Sequence, residues 1–431
     1  MPIQLPNLSD PVGTGDELVV VLHAYTGRAA TMAHVVEAIR AAIPNAELMT
    51  PELPLHALSF TDPNRIVADL LDEVDRRWKA RGQAKGGGHR SITLVGHSAG
   101  SLLARKLYVV ACGEKSKTPF EDVFGSRPDH GPTGEREWAE RVDRIVLLAG
   151  MNRGWRISHH LRPDRAIGWW LGGIICTCLA AVLQKQPFIF TIRRGATFIT
   201  QLRIQWIRMR QAADRARQTA EGTREHPERV GKFGEPRVVG GASTVQLLGS
   251  IDDYVSPTDN IDLVSGGDFY YLDVPFSGHA DVVEMDGTHK GRARSAIFRQ
   301  ALIAPTSTLV QKSILPQDDP RQSPDYDKKV VVFVVHGIRD QGHWTHKVAR
   351  RVLIRASVDG RLGEFATQTS SYGFFPMLPF LFPGRRRERV EWLMDQYAEA
   401  VARYPRASFH YVGHSNGTYC LALPGHFRAG L

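Results

Sequence analysis

Apolar residues in this chain gather in short unbroken runs: Leu18–Leu22, Ile145–Ala149 and Val330–Val335 are wholly apolar, and Ile92–Val95 and Val245–Leu248 nearly so. A strand with one wet face would alternate apolar and polar residues. Unbroken runs are expected of parallel strands covered by helices on both faces. Segments with helical spacing lie between them, over 31–43, 63–80 and 102–112. Strand and helix alternating in this way predict an α/β fold with a doubly wound, mostly parallel sheet. Any site should then lie at the carboxyl ends of the strands.

Candidate chemistry gathers at those ends. Gly96-His97-Ser98-Ala99-Gly100 follows the run Ile92–Val95 and precedes a helical stretch. A serine between two glycines at a strand-to-helix junction fits a nucleophile elbow, where bulky flanking residues would clash. The helix starting there aims free N–H groups and its positive dipole end at a developing oxyanion. Upstream, His23-Ala24-Tyr25-Thr26-Gly27 follows the first run, in the place of a second oxyanion donor. Downstream, Gly249-Ser250-Ile251-Asp252-Asp253 ends a strand with an acid, and His279 lies in a loop before Val282 and Val283. The chain order Ser, Asp, His is that of the hydrolase triad.

In these residues the chain resembles the α/β-hydrolase superfamily, across roughly residues 15 to 305. The resemblance implies Ser98 as nucleophile, His279 as base and Asp252 as acid, with Asp253 the alternative. It implies oxyanion donors at Ala99 and at Ala24 or Tyr25. His23 and His97 read as loop supports, and Asp281 as a helix-start carboxylate. The resemblance implies hydrolysis of a carboxylic ester, of a small molecule or a lipid, with no cofactor and no metal. Two other readings use the same residues: acyl transfer or thioester cleavage through the same triad, and a scaffold without turnover that binds membranes or proteins.

At 431 residues the chain is long enough for two domains, and 42% hydrophobic against 23% charged residues suits a real core. Four cysteines form neither a disulfide framework nor a zinc spacing, and the N-terminus does not read as a secretory signal, so a cytoplasmic placement is expected. A formal net charge of +9 favours anionic surfaces, but no nucleic-acid motif accompanies it.

Residues 155–240 read as an insertion, expected to be a helical cap. Its run from Ala166 to Leu183 is at the lower limit for a membrane span. One crossing would put Ser98 and His279 on opposite sides of a bilayer, so a cap helix is the favoured reading. Interfacial binding through Trp169, Trp170 and the basic stretch after them, a peripheral membrane association, is the second. Phe198, Leu202, Trp206 and Met209 recur at helical spacing and are expected to be buried.

Residues 306–328 read as a linker, after which the pattern restarts. Val330–Val335 leads into His336-Gly337, and Phe409–Val412 leads into Gly413-His414-Ser415-Asn416-Gly417. Residues 329–431 thus read as a truncated second copy of the fold's first half. It lacks its own acid and histidine, and no independent activity is expected from Ser415.

Overall fold

The computed structural model describes residues 15–116, 118–125, 134–156, 185–220, 231–234, 236–251, 260–262, 268–315, 323–338, 342–369 and 383–422. Six parallel strands form the main sheet: β1 (Glu17–Leu22), β2 (Glu47–Met49), β3 (Ser91–His97), β4 (Val142–Leu148), β5 (Ser243–Gly249) and β6 (Phe269–Val274). Their spatial order is β2-β1-β3-β4-β5-β6. The chain runs outward from β1 to β2, returns past β1 to β3, and then proceeds the other way. The order therefore reverses between β1 and β3, and in such sheets a site is expected at the carboxyl ends of those two strands.

Helices cover both faces, which is why the strands could be apolar throughout. On one face lie α1 (Ala33–Ala42), α5 (His289–Ile303) and α6 (Thr306–Lys312). They close a core with Val19, Val21, Val95 and Val146. On the other lie α2 (Pro63–Lys85), α3 (Ala99–Ala111) and α4 (Thr197–Ala220), over Leu18, Val20, Leu22 and Leu94. Alternate residues of one strand thus enter opposite cores, as the period of two requires. The start of α2 is set by Asp62, whose carboxylate accepts from the Asn64 N–H, with Pro63 in the first turn; its end is set by Gly86 in the left-handed region.

The stripe Phe198, Leu202, Trp206 and Met209 is buried, on α4. Trp206 packs edge-on against Tyr108 of α3 and Phe269 of β6. Burying one such side chain contributes roughly 1.5–3 kcal/mol. α4 therefore lies in the helical layer as the crossover from β4 to β5, and not above the strand ends. Of the expected cap, residues 157–184, including Trp169, Trp170 and the 166–183 run, and residues 221–230 and 235 lie outside the described residues. Among the described residues, no helix is long and apolar enough to cross a membrane.

The expected linker also differs. Residues 306–312 form α6, which fully buries Leu309. The chain after it stays against β6, where the Ile314 N–H donates to the Tyr271 carbonyl at 2.8 Å. One well-placed leucine and a strand-like bond hold a segment whose prolines and hydroxyl residues read as loop.

A second sheet holds β7 (Val330–Val335), β8 (Phe365–Thr369) and β9 (Ser408–Gly413), all parallel, in the order β8-β7-β9. Its helices are α7 (His343–Val358), α8 (Pro383–Arg403) and α9 (Asn416–Ala422). β7, β8 and β9 stand to one another as β1, β2 and β3 do, and the register agrees: Leu22 pairs with Gly96, and Val335 with Gly413. A third core joins Val331, Phe333, Leu393 and Tyr397 to Ile204 and Ile207 of α4. α4 thus faces both sheets.

Candidate active site

Ser98 stands at the end of β3 with φ 53° and ψ −115°, in a region that L-residues rarely occupy. Its neighbours explain how it is held there. A Cβ on Gly96 would lie 2.6 Å from the Gly100 carbonyl oxygen. A Cβ on Gly100 would lie 2.4 Å from the Leu22 carbonyl oxygen and 2.7 Å from that of His23. Both glycines are therefore dictated by close backbone approach, and the start of α3 is pressed against the end of β1. The Ser98 N–H donates to the Leu148 carbonyl at 2.9 Å, and the Ser101 hydroxyl to that of Gly96 at 2.7 Å. Ser98 itself is only 6% exposed.

His279 arrives from the loop after β6. Its Nε2 lies 2.8 Å from Ser98 Oγ, within hydrogen-bond reach across 181 positions of sequence. His97 Nε2 donates to the His279 carbonyl at 2.9 Å, so this ring supports the loop. Arg294 of α5 braces the same loop, a role the sequence did not signal. Its guanidinium donates to the Ser277 hydroxyl at 2.9 Å, the Phe276 carbonyl at 2.6 Å and the Asp281 carboxylate at 2.6 Å. Asp281 also accepts from the Gly278 N–H at 2.5 Å. It opens a short 3₁₀ turn, Asp281–Val283, at the helix start as expected, but its carboxylate works backwards on the histidine loop and makes no cap bond.

Ala24 and Tyr25 follow β1 after His23, and Ala99 opens α3 after Ser98, so the three expected donors lie beyond the carboxyl ends of the neighbouring strands β1 and β3. The Gly27 N–H folds back to the Ala24 carbonyl at 3.0 Å. His23 is buried behind this turn. Its Nε2 accepts from the Leu53 N–H at 2.9 Å, which leaves Nδ1 to donate to the Ala24 carbonyl at 2.9 Å. Burial lowers the His23 pKa below its ordinary value, which keeps the ring neutral as this pattern requires. Tyr25 stacks on the buried Phe188, with ring centroids 5.7 Å apart.

Asp252 and Asp253 lie outside the described residues. The chain leading to them is fixed by the Ile251 N–H, which donates to the Ser277 carbonyl at 2.9 Å. β5 thus ends beside the histidine loop. The described chain resumes at Asn260, whose carbonyl accepts from Asn152 Nδ2 at 2.7 Å.

Strand order, the reversal between β1 and β3, and the left-handed serine between close-packed glycines together define the architecture. The fold is an α/β-hydrolase fold. No protein-family model matches the chain, and no curated protein matches it significantly. Solved structures similar to it include a carboxylesterase of the thaumarchaeon Nitrososphaera gargenis, at 12% identity over 67% of this chain and 90% of that one, with a TM-score of 0.33. An extracellular α/β-hydrolase from a Paenibacillus species is also 12% identical, over 69% of this chain and 99% of that one, with a TM-score of 0.31. An esterase of Pyrococcus furiosus is 12% identical over 67% and 82%, with a TM-score of 0.36. These likenesses say nothing of substrate.

Proposed function

We propose that this chain is a serine hydrolase that cleaves a carboxylic ester through Ser98. The observation that carries the reading is the 2.8 Å approach of His279 Nε2 to the Ser98 hydroxyl at a buried elbow. Ser98 Oγ attacks the acyl carbon while His279 Nε2 takes its proton. The same nitrogen then returns that proton to the leaving alcohol, and a water repeats the sequence to release the acid. Asp252, or Asp253 beside it, orients the ring and stabilises its cationic form. The Ala99 N–H, with that of Ala24 or Tyr25, holds the oxyanion. Support for this pair of donors comes from Gly100, which lets α3 start against the end of β1. The apolar run Ala166 to Leu183 of the insertion favours an apolar acyl group.

The second sheet is read as a copy of the fold's first half. Ser415 has φ 54° against 53° for Ser98, and a Cβ on Gly417 would lie 2.4 Å from the Val335 carbonyl oxygen, as one on Gly100 would from that of Leu22. His336 Nδ1 reaches the carbonyl of the next residue at 2.9 Å, as His23 does. Ser415 is nevertheless exposed, and it is assigned no reaction of its own.

A fluorophosphonate probe tests the assignment. Labelling should vanish in Ser98→Ala and persist in Ser415→Ala. Labelling that survives Ser98→Ala, or a wild-type chain that never labels, rejects it. p-Nitrophenyl esters of graded acyl length then read the apolar preference.

A further inference from the structure

Gln246 stands between Val245 and Leu247 in the middle of β5 and is fully buried. Burying an amide is costly unless its donors and its acceptor are matched, so its partners show what it is for. Nε2 donates to the Gly150 carbonyl at 3.0 Å, and Oε1 accepts from Asn152 Nδ2 at 3.3 Å. Both partners lie on the chain that leaves β4. That chain is tied to α3 as well, since Arg105 donates to the Asn152 carbonyl at 3.1 Å.

The exit of β4 is also where the nucleophile elbow rests. The Leu148 carbonyl accepts the Ser98 N–H at 2.9 Å. The next residue, Ala149, has φ 45°, a left-handed backbone in a residue that carries a side chain. Its N–H donates to the Leu247 carbonyl at 3.0 Å. A Cβ on Gly150 would lie 2.7 Å from Gln246 Oε1 and 3.0 Å from Ser101 Cβ, so this backbone touches both the glutamine and the first turn of α3. Ser101 is in turn bonded to the Gly96 carbonyl at 2.7 Å. A strained turn of this kind persists only where its surroundings over-determine it. For Gly150, the residue after the strain, the Gln246 amide supplies the donor.

We propose that Gln246 is a positioning residue for Ser98: its amide fixes the left-handed exit Leu148–Gly150, and that exit fixes the elbow. The proposal rests on the hydrolase reading given above. Each link is a bond or a contact between adjoining groups: Gln246 to Gly150, Gly150 to Ser101, and Leu148 to Ser98. Without the amide, the buried Gly150 carbonyl loses its donor and Ala149 is free to relax towards ordinary backbone. The Leu148 carbonyl then leaves the Ser98 N–H. Ser98 Oγ moves off the line on which His279 Nε2 meets it at 2.8 Å. Gln246 acts on the reaction through the backbone alone, so it should alter the rate of attack and leave substrate binding as it is.

The test uses the full chain with Gln246→Met, which keeps the length of the side chain and removes its amide. Thr244→Val is the control. Thr244 lies two residues earlier on the same face of β5 and is fully buried, and its hydroxyl meets no hydrogen-bond partner among the described residues. Turnover of a p-nitrophenyl ester and hydrogen exchange in peptides containing Ser98 are read below the melting temperature of each variant. In Gln246→Met, kcat should fall roughly 10- to 100-fold with KM changed by no more than about twofold. Exchange at Ser98 should quicken. Thr244→Val should change neither. An unchanged kcat in Gln246→Met, or a slowed kcat with unchanged exchange, overturns the proposal. So does a Thr244→Val that slows turnover as much, since that would show a general loosening of β5. If the wild-type chain has no Ser98-dependent turnover, the hydrolase reading fails, and exchange alone decides the coupling: wild-type exchange in Gln246→Met refutes it. Should that variant not fold, Gln246→Asn keeps an amide and draws it back by one methylene. It should show the same slowed turnover and quickened exchange, and wild-type values of both overturn the proposal.

Discussion

Replacing Arg294 by methionine keeps the length of the side chain and removes its donors. The guanidinium is 5% exposed and holds the loop that carries His279. Its partners differ in what water can repair. Asp281 is 39% exposed and Glu284 63%, so solvent takes over much of those two pairings. The Phe276 carbonyl and the Ser277 hydroxyl have less recourse, since Ser277 is fully buried. Two charge-assisted bonds at the lower end of their range give a loss of about 3 kcal/mol. That corresponds to a fall in melting temperature of about 6–12 °C for a domain of this size. Phe276 sits at φ 56°, so the released loop also has a strained residue to relax. A shift of about 1 Å at His279 would slow acylation on the order of 100-fold. Thermal melting and the rate of fluorophosphonate labelling at Ser98 read the two effects separately. Arg294→Met with wild-type melting and wild-type labelling would refute the brace. Asp281→Asn, which keeps an acceptor for Gly278 but loses the charge, should cost less on both scales.

Two further outcomes follow from the geometry. Gly100→Ala places a methyl 2.4 Å from a backbone oxygen that cannot move aside, so the variant should fail to accumulate as folded protein or should lose Ser98 labelling; full labelling at wild-type yield would contradict the packing of α3 on β1. His23 has its pKa lowered by burial, so below its ordinary 6.5 the unfolded chain takes up a proton that the folded chain refuses. Its contribution to stability is therefore intact above pH 6.5 and lost as the pH falls below it. His23→Gln should be less stable than wild type at pH 8 and lose less between pH 6.5 and 5. Denaturant titrations with equal slopes against pH in both proteins would remove His23 as the cause.

The sheet and the serine were legible because their signals are local. Leu18–Leu22 and Ile145–Leu148 are apolar on both faces of the strand, and Gly96 and Gly100 stand two residues either side of Ser98, where close backbone approach leaves no room for a side chain. His279 was named through the resemblance, and its ring lies 2.8 Å from Ser98 because each strand of a parallel sheet delivers its loop to one end. Arg294 was missed because an arginine within a helix has no signature; its meaning lies in a loop folded over it. α6 was missed because Thr306-Ser307-Thr308 reads as turn chemistry, whereas the burial of Leu309 against the sheet decides the matter. Interfacial burial of α4 was visible in its apolar stripe, but its position was not. Periodicity shows which side of a helix is dry and leaves open which neighbour dries it.

Ser415 holds the same left-handed turn as Ser98 on a much smaller foundation. Such a backbone costs on the order of 1–3 kcal/mol wherever it occurs. Among the described residues, six strands absorb that burden at Ser98 and three at Ser415. Three strands have little surplus cohesion, and Ile204 and Ile207 on α4 join their interior. Severed from α4, residues 323–422 would give up their bent serine first, and the second sheet is better regarded as a graft than as a lodger.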